Sequence, residues 1–213
     1  MLVFNQVYHQ NIANLSFMIN RGEFVCLYHP EQGLLDPIQK LICLEKRPEH
    51  GLVNWLNQTD LTSQSLKEDL GLVYPEDILL PKRSLLENFC FIMEARGLER
   101  GFFKTRIKRV INLSGLDRYC QFRPSELPLY LLKRANIAAA LLHYPSVLLL
   151  VDPTLEIDQV NSQAIIHLLR AINQDKITVI MLSSDHSLVL GKQSRKIKLT
   201  ADQTGTQKEG YYA

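Results

Sequence analysis

Asp185 and His186 follow the apolar run Thr178-Val179-Ile180-Met181-Leu182, and Asp152 follows the apolar run Val147-Leu148-Leu149-Leu150-Val151. A carboxylate and an imidazole at such strand ends have the residue types of a general acid/base pair. No activated nucleophile accompanies them, so Asp185 reads as a residue that caps or closes a turn. His29, Glu31 and Asp36 have types that bind metals. Three ligands on one loop without His/Cys spacing read as ordinary polar loop residues, and no metal is expected. Cys26, Cys43, Cys90 and Cys120 lack CxxC spacing and sit mostly in apolar runs. They read as buried reduced thiols of a cytosolic protein. Lys104, Arg106, Lys108 and Arg109 form a basic helix face, either solvated or in contact with anionic lipid headgroups.

These residues need a scaffold, and the chain supplies one. Its 213 residues with 46% hydrophobic content are enough to bury a full core as one domain, or as one domain with a subdomain. A net charge of +2 gives no field that would hold nucleic acid, and no nucleic-acid partner is expected. The start Met1-Leu2-Val3-Phe4-Asn5 has no basic region followed by an apolar one, so no signal peptide is expected. No apolar run approaches the ~20 residues of a membrane helix, so a membrane role must go through a partner.

Apolar runs predict strands at 3–8, 15–19, 24–28, 52–56, 70–74, 147–151, 178–182 and 196–199. Helical spacing predicts helices at 37–44, 129–142 and 159–173, and a helical pattern over 84–109 that breaks at Arg96-Gly97-Leu98. Pro37 falls in the first turn of its helix, a tolerated place. The polar stretch 200–213 is expected to fray. The alternation is that of an α/β protein.

Several blocks, in order and at compatible spacing, resemble the ABC ATPase family, most closely its FtsE, LolD and MacB type, with the FtsE type nearest. Gly22-Glu23-Phe24-Val25 and Lys40-Leu41-Ile42 frame the place of a phosphate loop. Leu79-Leu80-Pro81 with Leu86-Glu87-Asn88, and Glu94-Ala95-Arg96-Gly97-Leu98, resemble the stretch after the Q-loop. Pro124-Ser125-Glu126-Leu127 and Arg134-Ala135-Asn136-Ile137-Ala138 resemble the signature block. Asp152-Pro153-Thr154 with Ile157-Asp158 resembles the end of Walker B and the D-loop, and Asp185-His186 the switch segment. The resemblance implies a P-loop NTPase-like ABC ATPase fold, with a mixed sheet core and a helical subdomain. One domain over 1–213, with that subdomain at about 82–143, is expected.

The departures from the family pattern carry the functional expectation. A phosphate loop uses glycines so that backbone N–H groups curl round the phosphates, a lysine for charge and a hydroxyl for Mg²⁺. By ungapped alignment the first and last glycines are His29 and Leu34, the lysine is Leu35, the hydroxyl is Asp36, and Pro37 follows; Gly33 lies between. A charge-assisted hydrogen bond contributes roughly 1.5–3 kcal/mol, and several are lost together. The Q-loop glutamine is Pro75, and the signature reads Leu127-Pro128-Leu129-Tyr130-Leu131, with bulky side chains for glycines. The final Walker B pair is Val151-Asp152; with a one-residue slip it is Asp152-Pro153, and either register loses one acid. The switch histidine is Ser184, and the segment 8–13 is short for an adenine-stacking loop.

No nucleotide cofactor and no catalytic residue are expected. The resemblance together with these departures implies a non-catalytic subunit, cytoplasmic and peripheral at the inner face of the plasma membrane. It would dock as a structural or regulatory partner on a permease of the FtsX, LolC or MacB kind, as a homodimer or beside another ABC subunit. The alternative is an active, ATP- and Mg-dependent FtsE- or LolD-like ATPase of cell division or lipoprotein export. A weaker third reading is a vacated, more apolar pocket that takes another ligand. Ile78, Leu79, Leu80, Leu85 and Leu86 flank the polar break Pro81-Lys82-Arg83-Ser84; they are docking candidates if exposed, and core otherwise.

Overall fold

A strand that is buried along nearly its whole length needs packed layers on both faces, and four strands of the chain are of that kind. In the computed structural model, which describes residues 1–10, 12–55, 66, 68–188, 190 and 194–199, they form the centre of the protein. The hairpin β1 (Leu2–His9) and β2 (Ile12–Ile19) comes first, and β3 (Phe24–Tyr28) leads into α1 (Leu35–Ile42). After β4 (His50–Trp55) and β5 (Leu70–Val73) come α2 (Leu85–Ala95), α3 (Phe103–Ser114) and α4 (Leu129–Leu141). The chain continues through β6 (Val147–Val151), α5 (Gln159–Gln174), β7 (Thr178–Ser183) and β8 (Ser194–Lys198).

Parallel and antiparallel strands occupy separate sheets. One is parallel, in the order β5-β6-β7-β3-β8, and the other antiparallel, in the order β2-β1-β4. Strand side chains alternate between faces, and the core divides accordingly. Phe24, Cys26, Leu148, Leu150, Val179 and Met181 pack with residues of α2 to α5. Val25, Leu27, Leu149, Ile180 and Leu182 pack with α1 and the antiparallel sheet. Each such side chain, fully buried, contributes roughly 1.5–3 kcal/mol.

Element edges differ from expectation where a backbone detail decides them. The first helix spans Leu35–Ile42, two residues early, and stops where Leu44 takes the left-handed φ of 56°. Pro37 remains in the first turn, where amides have no intrahelical partner. The break after α2 extends through a 3-10 turn, Arg100–Phe102, before α3 begins. Ser84 caps α2: its hydroxyl accepts from the Glu87 amide at 3.2 Å, and its own amide donates to the Glu87 carboxylate at 2.7 Å. The strand ending expected at 56 and the polar stretch 200–213 lie, respectively, partly and wholly outside the described residues.

The expected basic face of α3 is smaller than four cations. Arg106 is buried, and its guanidinium donates to the carbonyls of Leu141 and Leu142 at the end of α4. It also lies 3.5 Å from the Tyr144 ring centroid. Its position every third to fourth residue along α3 turns it inward, to satisfy helix-terminal carbonyls. Arg109 is paired with Asp175 at 2.7 Å. Among the described residues, no helix is long and apolar enough to cross a membrane.

Candidate functional site

The carboxyl ends of parallel strands open a crevice, and in such folds ligands bind there. At that edge the loop after β3 and the residues after β6 and β7 lie side by side. His29 donates its amide to the Ser183 carbonyl at 3.1 Å, which carries the β3–β7 pairing one residue further. Its buried imidazole then turns back on the loop, where Nδ1 accepts from the Glu31 amide at 3.0 Å. The Leu34 amide donates to the Glu31 carbonyl at 3.1 Å, and the Leu35 amide to the Gln32 carbonyl, closing the 3-10 turn Gln32–Leu34. The amides of residues 31, 34 and 35 are therefore committed within the loop, and Pro37 has none.

The side chains add nothing that a phosphate would seek. Leu34 is buried and Leu35 is 1% exposed, inside the core beneath the antiparallel sheet. Asp36 is held by Lys40, one helical turn on, at 2.6 Å. Gly33 has no positive φ, and a Cβ there would meet nothing within 4 Å, so this glycine is not required for a phosphate cradle. Of the two residues that open α1, Leu35 is therefore buried hydrocarbon and Asp36 an acid paired with Lys40.

Asp152 and Ser184 are brought together by register. Val151 is opposite Leu182 in the β6–β7 pair, so the residues that follow meet above the sheet edge. Asp152 is 2% exposed and takes a left-handed φ of 42°. Its carboxylate accepts from the Ser184 amide at 2.7 Å, and the Ser184 hydroxyl lies 3.1 and 3.0 Å from its two oxygens. Asp185 accepts from the amide and hydroxyl of Ser187 at 2.8 and 2.6 Å, the geometry of a closed turn. The carbonyl of His186 accepts from Lys196 Nζ. Burial pushes the Cys26 thiol in the strand below up to about 12, so it remains an inert thiol. Among the described residues, no group of three His, Cys, Asp or Glu could hold a metal.

The other candidate positions are also engaged. The Pro75 carbonyl accepts from buried Lys133 at 2.7 Å, and Asn136 Nδ2 donates to Asp77 at 2.8 Å, so the segment after β5 is fastened to α4. Pro128 precedes α4, and Leu129 and Tyr130 form its first turn. The Pro128 carbonyl accepts from Leu131 and Leu132, and Tyr130 packs partly against the core. The Lys133 and His29 contacts were missed by sequence reasoning; both join residues whose types gave no pattern.

The docking candidates separate by burial. Leu79 and Leu85 are core residues and form no part of a surface, and Leu86 is half-buried against the same core. The reason is helical: Leu85 sits with Phe89 and Met93 on the inner face of α2. Ile78 is 50% exposed and Leu80 is also exposed. Ile78 lines a groove of about 350 Å³ with Leu72, Tyr74, Ile92, Arg96 and His143.

Burial and the Arg96 charge lower His143 from 6.5 to about 4, so the imidazole is neutral in the folded protein. Above pH ~6.5 folded and unfolded chains are both neutral here. As pH falls from there toward about 4, the unfolded chain takes a proton that the folded chain refuses, and stability is lost. Replacing His143 with Gln is therefore expected to flatten the stability decline between pH 6.5 and 4 in urea titrations.

No protein-family model matches the chain. The chain is 28% identical over 194 residues to the cell division ATP-binding protein FtsE of Bacillus subtilis, a match covering 88% of this chain and 85% of that protein. It is 25% identical over 197 residues to FtsE of Escherichia coli, covering 90% and 88%. The methionine import ATP-binding protein MetN 2 of Pectobacterium atrosepticum is 29% identical over 184 residues, covering 84% of this chain. There the chain spans about half of the relative, 54% of its length. Among solved structures, CbiO1 from Clostridium perfringens, part of the ABC transporter complex CbiONQ, superposes with a TM-score of 0.84 at 19% identity, covering 94% of this chain and 84% of that one. A bacterial ABC transporter cassette solved as a dimer gives 0.76 at 24% identity, covering 94% and 95%. At these identities the structural likeness is one of fold.

Proposed function

We propose that this chain, whose relatives are ATP-binding proteins of ABC transporters and whose fold is that of an ABC cassette, is a non-catalytic subunit of that class. The observation that carries this reading is the closed loop after β3, in which the amides of residues 31, 34 and 35 are already bonded. Asp152 and Ser184, at the positions of the general base and the switch histidine, are spent on each other. No ATP or Mg²⁺ is required by this arrangement.

The role that fits is a structural or regulatory one beneath a membrane permease of the FtsX, LolC or MacB kind, at the inner face of the plasma membrane. The groove lined by Ile78 and Ile92 is the docking place this reading assigns to the permease. In the family, each ATP site combines the phosphate loop of one subunit with the signature of the other. A homodimer of this chain would have no working site, and a heterodimer with an active partner would have no complete one. Closure driven by nucleotide is then weak, which favours a constant scaffold over a motor.

Mg-ATP should leave thermal stability unchanged within about 1 °C. A site at about 100 times its Kd adds about 2.7 kcal/mol, or roughly 5–11 °C for a chain of this length. A shift of that size would instead support the active, FtsE-like ATPase, the reading that the ATP-binding relatives favour. That reading needs another cation at the phosphates. Lys40 is bound to Asp36 and lies more than a helical turn past the lysine position.

A further inference from the structure

We propose that the surface formed by Phe102 and the outer face of α3 contacts an anionic lipid leaflet. Phe102 is 59% exposed at the end of the turn Arg100–Phe102, while its neighbour Phe103 is buried. Lys104 and Lys108 follow it, exposed, one helical turn apart and on the same face. Neither is paired with a carboxylate among the described residues, whereas Arg100 is held by Glu94 and Arg109 by Asp175. Exposed cations on residues 94–109 are Arg96, Arg100, Lys104, Lys108 and Arg109, against Glu94 and Glu99.

The occupant follows from the combination. A soluble polyanion would be met by the lysines alone and would leave the Phe102 ring in water. An interfacial surface takes both, with the ring in the boundary region and the cations among the headgroups. Position agrees as well. Arg96 ends α2, lines the groove and leads within a few residues to Phe102, so a permease in that groove would turn this surface toward the bilayer. Only this orientation rests on the permease reading; the lipid contact itself does not.

The test is flotation of the full chain with vesicles of phosphatidylcholine alone or mixed with phosphatidylglycerol, with no permease present. Binding is expected only to the mixed vesicles, and is expected to vanish at high salt. Each lysine near the surface contributes about fivefold, so Lys104→Glu with Lys108→Glu should lower binding by about 25-fold or more. Phe102→Ala should lower it by about tenfold. The charge-matched pair Arg21→Glu with Lys198→Glu, also exposed, should bind like the native chain. Equal binding to both vesicle types, no flotation at low salt, or an equal loss in the control pair would overturn the proposal. Binding unchanged by Phe102→Ala would also overturn it, assigning the surface to polyanions in general.

Discussion

Replacing Asp152 with alanine is expected to lower stability by about 3 kcal/mol, or roughly 6–12 °C in melting temperature. The buried carboxylate takes the Ser184 amide at 2.7 Å and lies within reach of its hydroxyl. Alanine leaves that amide without its acceptor and must also adopt the left-handed backbone at this position. Asparagine retains an acceptor oxygen and tolerates such a φ, so Asp152→Asn should cost only about 1 kcal/mol. Ser184→Ala keeps the amide and should cost about the same. The two sites share one network, so their effects should be non-additive in a double-mutant cycle read by urea unfolding. An Asp152→Ala chain as stable as the native one would show that the acid is not structural.

Leu35→Lys, which restores the residue type of a phosphate loop, is expected to cost about 4 kcal/mol and to gain no nucleotide binding. Leu35 is packed with Val25, Leu27, Ile38 and Leu41, so the new ammonium would be desolvated without a partner. Leu35→Met keeps the volume and should cost under about 1.5 kcal/mol. Mg-ATP should not rescue the lysine variant, because the His29–Glu31 and Glu31–Leu34 bonds still hold the loop and Asp36 still opposes a triphosphate. A Mg-ATP-dependent rise in its melting temperature would show that the loop opens to phosphate, and would count against the non-catalytic reading.

Much of this was legible from residue order alone. Continuous apolar runs at 24–28, 147–151 and 178–182 require cover on both faces, so they placed buried parallel strands. Residue type alone also carries the expectation of a non-catalytic subunit, since Leu35, Asp36 and Pro37 offer neither a cation nor the freedom of glycine. What the tertiary structure decided is where the polar groups go and which apolar groups remain outside. Asp152 and Ser184 are 32 positions apart and meet only through the β6–β7 register. Lys133 reaches Pro75 only because α4 packs beside the end of β5. Leu79 and Leu85 read like Ile78 as letters, yet packing buries the first two in the core and leaves the third at the groove. Local pattern carries period and chemistry; partners distant in the chain are set by packing, which no short stretch encodes.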